Sequence, residues 1–327
     1  MATERRLLDN LRQSGLLRTC ILVTHRPDQV LALVTAVRRR EKLLQPGSFW
    51  WDFFEKVWIR VIPLRPGIVA AYSALTGAFV KRRLPMIDLH CHILPELDDG
   101  SQSLEESLAM ARMAVNSGVR AMAATPHCMG ERAEEVYGTW SLLRQALEET
   151  GVPLKLYPGM EIFGTPDTAR LLREGKLFTL NGSRYPLIEF SFQSSGEEET
   201  LILRSVCRAG FRPLVAHPER YTYLQHDPEI VNRWCRLGCL FQVNRGSLLG
   251  RFGGHAQALA YALVERGFAA AVASDAHSPR VRTPWMEDVR DLLAQEFSPR
   301  CARALLLDNP RKILKDEPIT LAEPEWF

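Results

Sequence analysis

The sequence predicts an α/β fold in which parallel strands close into a barrel. Short apolar and β-branched runs alternate with helical patterns from residue 86 onward, and seven such runs occur between residues 86 and 318. Polar residues follow the end of nearly every run. Alternating strands and helices are typical of a parallel sheet. Seven strand–helix units in this length suit a closed barrel better than an open sheet.

Seven segments have the composition of buried strands. They are MIDLH (86–90), VRAMAAT (119–125), LKLYPGMEI (154–162), PLIEFS (186–191), RPLVAHP (212–218), LFQVN (240–244) and AAAVASDA (269–276). The helical patterns between them carry boundary signals. Ser103 and Glu106 form a capping box before one helix, and Gly151, Gly210 and Gly267 follow three others.

Composition excludes a disordered chain, a collagen-like fibre and a disulfide-stapled small protein, because the hydrophobic share is 46% and the charged share 24%. Charge divides the chain into unlike parts. Residues 1–85 contain 15 Lys/Arg and 6 Asp/Glu, a net charge of +9, whereas residues 86–327 carry a net charge of −6. We predict a basic α/β extension over 1–85, a main domain over 86–318 and a tail over 319–327. Within residues 7–33 of the extension, the pattern predicts a helix, a strand and a second helix.

The cysteine pattern and the absence of a signal-peptide pattern predict a cytoplasmic protein. Seven scattered cysteines lack zinc-finger spacing, which is typical of free thiols in a reducing compartment. The longest apolar run, 68–80, has 13 residues, whereas a membrane-crossing helix needs about 20. With the basic residues 81–83 this run could lie on an anionic membrane surface, although a buried helix is favoured. No aromatic–basic platform or helix-turn-helix pattern supports a nucleic-acid partner.

Histidines and acidic residues follow the predicted strands. They are His90, His92, Asp99, His127, Glu161, Glu189, His217, Asp275 and His277. The carboxyl ends of the strands of a parallel barrel form one rim, so these residues are expected to converge. Imidazoles and carboxylates without cysteine suit Mn, Fe or Zn. Nine candidates are too many for one tetrahedral site and suit two or three ions that share a bridging carboxylate.

The motifs that contain these residues are HCHILPELDDG (90–100), ATPHC (124–128), PGMEI (158–162), LIEF (187–190), AHPERY (216–221) and SDAH (274–277). In this order they resemble the polymerase-and-histidinol-phosphatase (PHP) superfamily, and within it the bacterial capsule-associated protein-tyrosine phosphatases. The resemblance covers Met86 to about Pro318. It implies a distorted seven-stranded barrel and a manganese-preferring cluster. It also implies hydrolysis of phosphotyrosine on the tyrosine-rich tail of a bacterial tyrosine kinase that controls polysaccharide export.

The resemblance also implies roles for individual residues. The nine residues above match the metal ligands of the family, with Glu189 as the bridging carboxylate, and Arg220 and Arg282 match its substrate-contacting arginines. The implied reaction is an in-line attack by a metal-bound hydroxide on phosphorus. This sequence departs from the family at Glu96, where glycine is usual, at Cys128, where an aromatic residue or histidine is common, and at Ser278, where asparagine is frequent.

Two alternatives remain open within the same fold. The chain could be a small-molecule phosphoesterase that acts on a substrate such as histidinol phosphate, but loops of short to medium length around the rim favour a protein substrate. It could also be a catalytically idle binding module, although all nine ligand positions are kept. Cys20 and Arg26 have the Cys-x5-Arg spacing of cysteine-dependent tyrosine phosphatases. The residues between them favour a strand over a phosphate-binding loop.

Overall fold

The computed structural model describes residues 19–22, 32–35, 84–128, 130, 132–321 and 323–327. The chain divides into two units, Met1–Lys81 and Arg82–Phe327. The apolar run 68–80 and the Arg26 end of the Cys-x5-Arg spacing lie outside the described residues.

The first unit contains an antiparallel pair of strands. β1 (Thr19–Leu22) pairs with β2 (Ala32–Thr35), and Thr19 lies opposite Thr35. β1 agrees with the strand expected in this stretch. The helix expected after it is wrong at residues 32–33, which belong to β2. The β-branched residues 34 and 35 that follow favour extended backbone.

The second unit alternates strands and helices in the predicted order. Its strands are β3 (Met86–Asp88), β4 (Val119–Ala124), β5 (His127–Cys128), β6 (Lys155–Pro158), β7 (Glu161–Phe163), β8 (Leu187–Glu189), β9 (Leu214–Ala216), β10 (Leu240–Asn244) and β11 (Ala269–Ala273). Its helices are α1 (Leu104–Ser117), α2 (Ala133–Glu149), α3 (Thr168–Arg173), α4 (Glu197–Arg208), α5 (Thr222–His226), α6 (Glu229–Arg236), α7 (Arg245–Leu248), α8 (Gly254–Glu265), α9 (Glu287–Glu296), α10 (Pro299–Arg303) and α11 (Asn309–Leu314).

These strands form two sheets, in each of which every pair is parallel. The larger sheet has six strands in the order β11-β10-β9-β8-β7-β5, and the smaller has three in the order β3-β4-β6. The predicted α/β class with parallel strands is therefore confirmed.

Two chain segments run from the smaller sheet into the larger one. The predicted strand 119–125 continues past Pro126 as β4 and β5, and the predicted strand 154–162 is divided into β6 and β7 after Pro158. Proline has no N–H to donate, so each ladder is interrupted there. Beyond the interruption, β5 pairs with β7 and His127 lies opposite Glu161. On the other side, a parallel bridge joins Cys91, after β3, to Ala276, after β11.

Successive residues of a strand face two different hydrophobic cores. Leu187 of β8 and Leu214 of β9 belong to one core, whereas their neighbours Ile188 and Val215 belong to the other, which also contains most of the buried helix residues. This alternation is expected of parallel strands that are covered on both faces. Glu189 lies two residues beyond Leu187, so the face of the first core continues into polar residues at the strand ends.

The boundaries of α1 follow the predicted signals. Ser103 is the N-cap, and its hydroxyl accepts a hydrogen bond from the Glu106 N–H at 3.2 Å. The Glu106 carboxylate accepts from the N–H of Gln102 at 2.9 Å, one residue earlier than a capping box requires. The helix ends at Gly118, which has a φ of 106° and donates to the last carbonyls.

The tail packs against the rest of the second unit. Arg212 Nη1 donates to the carbonyl of Ile319 at 2.6 Å, and the ring of Phe327 stacks on Phe268 with centroids 5.2 Å apart. Of the helices in the described part of the chain, none combines the length and hydrophobicity that crossing a bilayer would need.

Candidate metal centre

The nine residues predicted as metal ligands all lie at or just after the ends of strands in the two parallel sheets. His90, His92 and Asp99 follow β3, His127 follows β4, Glu161 follows β6, Glu189 ends β8, His217 follows β9, and Asp275 and His277 follow β11. Because parallel strands end at the same edge, the fold brings these distant segments together.

The nine side chains form four overlapping groups. Within each group, one potential ligand atom per residue lies within 4.8 Å of all the others. The groups are His92, Asp99, His127 and His277; His90, Glu161 and His217; His90, His92 and Asp275; and His127, Glu161 and Glu189. Every predicted ligand belongs to at least one group. His226 and His255, the other histidines of the second unit, belong to none.

Glu161 lies at the centre of the cluster and is fully buried. Its carboxylate oxygens approach four imidazoles: Oε2 is 3.1 Å from His90 Nε2, 3.2 Å from His92 Nε2 and 3.0 Å from His127 Nδ1, and Oε1 is 2.8 Å from His217 Nε2. Glu161 is therefore the carboxylate that most of the histidines share.

Glu189, the expected bridging carboxylate, lies towards one side of the cluster. Its Oε1 is 2.7 Å from His127 Nδ1, and its Oε2 is 3.9 Å from His217 Nε2. It contacts two histidines where Glu161 contacts four, so the position of Glu161 is the better one for bridging.

Four atoms of the nine residues are buried without a hydrogen-bond partner: Glu161 Oε2, Asp275 Oδ1, His277 Nε2 and His217 Nδ1. A buried polar atom left unsatisfied costs about 1–3 kcal/mol. A divalent cation would satisfy the first three, since carboxylate oxygens and neutral imidazole nitrogens are ligands for Mn, Fe and Zn. The residues present therefore fit divalent metal ions.

The carboxylates and imidazoles of the cluster shift one another's pKa values. Burial alone would raise the pKa of Glu161, yet the adjoining His90 and His127 hold that pKa well below its usual range. Burial alone would lower the pKa of His127, but the carboxylates of Glu161 and Glu189 raise it to about 10. Burial and the charge of His92 lower the pKa of His277 to about 3, which leaves its imidazole neutral. Metal ions bound here would replace imidazole protons as the balancing charge.

Three residues at the site have left-handed backbone conformations. The φ angles are 34° for His217, 50° for Asp275 and 52° for Arg282. Such conformations cost non-glycine residues of the order of 1–3 kcal/mol and are concentrated at functional sites. At His217 the left-handed turn ends β9 and starts the short 3₁₀ turn Pro218–Arg220, which carries the first predicted substrate-contacting arginine.

Both predicted arginines lie next to the cluster. Arg220 Nη1 is 3.1 Å from Asp275 Oδ2, and Arg282 Nη2 forms an ion pair with the same oxygen. The Arg282 carbonyl accepts a hydrogen bond from the His277 N–H at 2.9 Å, which closes the loop between the two residues. The hydroxyl of Ser278 accepts bonds from the N–H groups of Arg280 and Val281 in this loop.

Sequence reasoning missed the residues that orient the candidate ligands. Asp98, which precedes the candidate ligand Asp99, accepts from His92 Nδ1 at 2.7 Å and from the His127 N–H at 2.8 Å. Burial opposes its ionisation, but the hydrogen bond from His92 lowers the pKa of Asp98 to about 2. Gln242 Oε1 lies 2.8 Å from His90 Nδ1, and Asn244 donates to Asp275 Oδ2. The signal in the sequence was two polar residues at alternate positions of the buried strand LFQVN.

The chain resembles known proteins over its second unit. The sequence pattern of the family described as "Capsular polysaccharide synthesis, CpsB/CapC" matches residues 86–315. The tyrosine-protein phosphatase CpsB of Streptococcus pneumoniae is 34% identical over 241 residues, which are 71% of this chain and 99% of that protein. The tyrosine-protein phosphatase YwqE of Bacillus subtilis is 32% identical over 244 residues, 73% of this chain and 96% of that protein.

A solved structure agrees with these matches. It is described as belonging to YwqE from B. subtilis and CpsB from S. pneumoniae, "unique metal-dependent tyrosine phosphatases", and is similar to this chain with a TM-score of 0.70 and 31% identity. The match covers 74% of this chain and 99% of the other. The resemblance predicted from the motifs is confirmed. The chain belongs to the CpsB/CapC family of capsular polysaccharide synthesis.

Proposed function

We propose that this chain is a metal-dependent tyrosine-protein phosphatase. The observation that carries the proposal is the nine-residue cluster, which holds buried carboxylate and imidazole atoms without hydrogen-bond partners. Its relatives CpsB and YwqE are named tyrosine-protein phosphatases, and the second unit aligns with almost their whole length. Retention of every ligand position argues against an idle binding module.

The nine clustered residues would together hold two or three ions, with manganese preferred and iron or zinc as alternatives. Glu161 belongs to two of the four groups and is the bridging carboxylate in this proposal. Divalent ions in this cluster would activate a water molecule and neutralise charge on a phosphate oxygen. Asp98 and Gln242 orient the imidazoles of His92 and His90 so that the opposite ring nitrogens face the cluster.

Arg220 and Arg282 bind the phosphoryl group in this proposal. Their side chains are 17% and 27% exposed, so both reach the solvent side of Asp275, which is 1% exposed. A guanidinium presents N–H groups in a planar fork that can bind two phosphate oxygens at once. The two arginines would therefore orient the phosphoryl group and stabilise the charge that develops on its oxygens.

The proposed substrate is phosphotyrosine on a protein, and specifically on the tyrosine-rich tail of a bacterial tyrosine kinase in the cytoplasm. The cluster is open on one side, where the side chains of Asp99 and His127 are 66% and 36% exposed. An open rim admits a phosphotyrosine carried by a polypeptide, whereas an enclosed pocket would select small phosphate esters. The family description, capsular polysaccharide synthesis, supports a kinase of that process.

We also propose that the two sheets close into a distorted seven-stranded barrel. The segments that contain β4–β5 and β6–β7 run through both sheets. On the opposite edges, the bridge between Cys91 and Ala276 joins the segments that follow β3 and β11. In this proposal residues 1–85 form a basic extension that contributes no residue to the cluster.

The test combines metal analysis with turnover. Purified protein is treated with excess chelator, loaded with Mn²⁺ or Mg²⁺, and assayed on a phosphotyrosine peptide and on histidinol phosphate. We expect chelation to abolish turnover and Mn²⁺ to restore it better than Mg²⁺, because Mg²⁺ prefers oxygen ligands and retains its waters. Full activity after prolonged chelation would exclude the metal mechanism. Faster hydrolysis of histidinol phosphate would favour the small-molecule alternative.

A further inference from the structure

Two phenylalanines enclose the guanidinium of Arg220. Its Cζ lies 4.6 Å from the ring centroid of Phe192, in the loop after β8, and 4.4 Å from that of Phe252, in the turn between α7 and α8. Both distances are well within the range of a cation–π contact. Because the guanidinium carbon lies over both rings, the N–H groups of Arg220 are the part left for an oxygen ligand.

Phe192 is fixed in place although 38% of it is exposed. Its carbonyl accepts hydrogen bonds from the N–H and the hydroxyl of Thr222, at 2.9 Å and 2.7 Å. Its ring meets that of His217 edge-on at 5.8 Å and lies 5.9 Å from the ring of Tyr221. Phe192 therefore places an exposed phenyl ring next to both a proposed metal ligand and a proposed phosphate-binding arginine.

Phe252 is held more tightly. A Cβ at position 246 would lie 2.6 Å from Phe252 Cε2, so the ring packs directly on the backbone of Gly246. The Cζ of Arg282 is 5.9 Å from the centroid of the same ring. Phe252 thus adjoins both arginines.

We infer that Phe192 is a specificity-determining residue that contacts the phenyl ring of a phosphotyrosyl substrate, and that Phe252 is a positioning residue for Arg220. The inference rests on the proposed function. A phosphate held by the N–H edge of Arg220 has its ester group next to the exposed ring of Phe192. Aromatic pairs add stabilisation beyond simple burial, so an aryl ester gains a contact that inorganic phosphate cannot make.

The test measures binding to the Mn²⁺-loaded protein by calorimetry, with phenylphosphonate and inorganic phosphate as probes. For Phe192→Leu we expect the affinity for phenylphosphonate to fall about 2- to 10-fold relative to the affinity for inorganic phosphate, as the strength of an aromatic pair implies. In the same variant KM for a phosphotyrosine peptide should rise with little change in kcat. Phe192→Tyr should restore the wild-type preference. Phe252→Leu should weaken both probes together, because it acts through Arg220.

Leu142→Ala on α2 is the control, since this apolar side chain is 68% exposed and absent from the cluster. It should leave both probes unaffected. Equal weakening of both probes by Phe192→Leu would overturn the inference, since Phe192 would then act only through Arg220. Unchanged binding of both probes would overturn it as well. Failure of the proposed function would be recognised separately, as absence of phosphotyrosine hydrolysis by the Mn²⁺-loaded wild-type protein.

Discussion

Gln242 Oε1 lies 2.8 Å from His90 Nδ1, and this contact links β10 of the larger sheet to the segment that follows β3 of the smaller sheet. Gln242 Nε2 in turn donates to Asn244 Oδ1 at 2.9 Å, and Asn244 donates to Asp275. A buried hydrogen-bonded chain therefore connects two proposed ligands. It fixes a proton on His90 Nδ1 and leaves Nε2 free to face Glu161.

Replacing Gln242 should weaken metal binding without removing a ligand. In Gln242→Leu, His90 loses the group that sets its tautomer and ring orientation, and Asn244 loses a donor. Loss of such an orienting partner typically costs about 10–100-fold in metal affinity. We expect this loss in Mn²⁺ titrations of chelator-treated protein, followed by calorimetry.

Gln257→Leu is the matched control. Gln257 Nε2 donates to the carbonyl of Leu248 at 3.1 Å, outside the cluster. Its replacement should leave Mn²⁺ affinity unchanged. If Gln242→Leu bound Mn²⁺ as tightly as Gln257→Leu, the orienting role of Gln242 would be excluded.

The convergence of the nine residues could be predicted because each follows a strand of a parallel fold. The central role of Glu161 could not. It depends on the break after Pro158, which carries Glu161 into β7 and places it opposite His127. Proline within the predicted strands was the only signal of this break.

The motif predicted Asp99 as a ligand, but the role of its neighbour Asp98 was hidden, because adjacent carboxylates in a loop differ only in where the folded backbone directs them. Asp98 bonds the imidazole of His92 from outside the cluster, whereas Asp99 lies 3.5 Å from His127 and 3.4 Å from His277. The loop conformation that directs Asp98 to His92 is set by the whole fold.

Glu96 is a departure from the family that should reduce stability. This exposed residue has a φ of 61°, a left-handed conformation that glycine adopts freely. Glu96→Gly should relieve about 1–2 kcal/mol of backbone strain, but glycine also loses more conformational entropy on folding. Together these effects predict that the free energy of unfolding rises by about 0.5–1 kcal/mol. Urea unfolding at a fixed Mn²⁺ concentration would measure the difference.

Glu96→Ala separates backbone strain from charge. It removes the carboxylate but keeps the Cβ that opposes the left-handed conformation, so it should not stabilise the protein. Equal stabilisation by alanine and glycine would attribute the effect to the charge and contradict the strain argument.

A chain that begins at Met86 should retain phosphotyrosine hydrolysis. All the proposed ligands and both arginines follow Met86, and the family pattern begins at the same residue. We therefore expect kcat/KM on a phosphotyrosine peptide to stay within about 3-fold of the value for the full chain. A change of that size corresponds to well under 1.4 kcal/mol of transition-state stabilisation. The truncation also removes Cys20 and Arg26.

Complete loss of activity in a folded, Mn²⁺-loaded truncation would show that residues 1–85 take part in the reaction. Residues 1–85 would then be restored with and without the substitution Cys20→Ser. If activity returned only with Cys20 present, the result would support the cysteine mechanism, which the composition of β1 disfavours.

Arg220→Ala and His277→Ala should lose activity in different ways. Arg220 is proposed to bind phosphate and not metal, so its removal should leave the Mn²⁺ content normal. Loss of one preorganised donor of this kind typically lowers the rate about 10²- to 10³-fold. His277 belongs to the cluster, and its buried Nε2 has no hydrogen-bond partner. Its removal should therefore lower both Mn²⁺ content and activity.

Metal content and phosphotyrosine turnover of the two purified variants decide between these roles. Excess Mn²⁺ should partly restore His277→Ala, because mass action can refill a weakened site. It should not restore Arg220→Ala, whose metal sites are already filled. Loss of Mn²⁺ from Arg220→Ala together with full Mn²⁺ in His277→Ala would reverse the assignment. The pairing of Arg220 with Asp275 would then be a support for the metal site, and phosphate binding would fall to Arg282 alone.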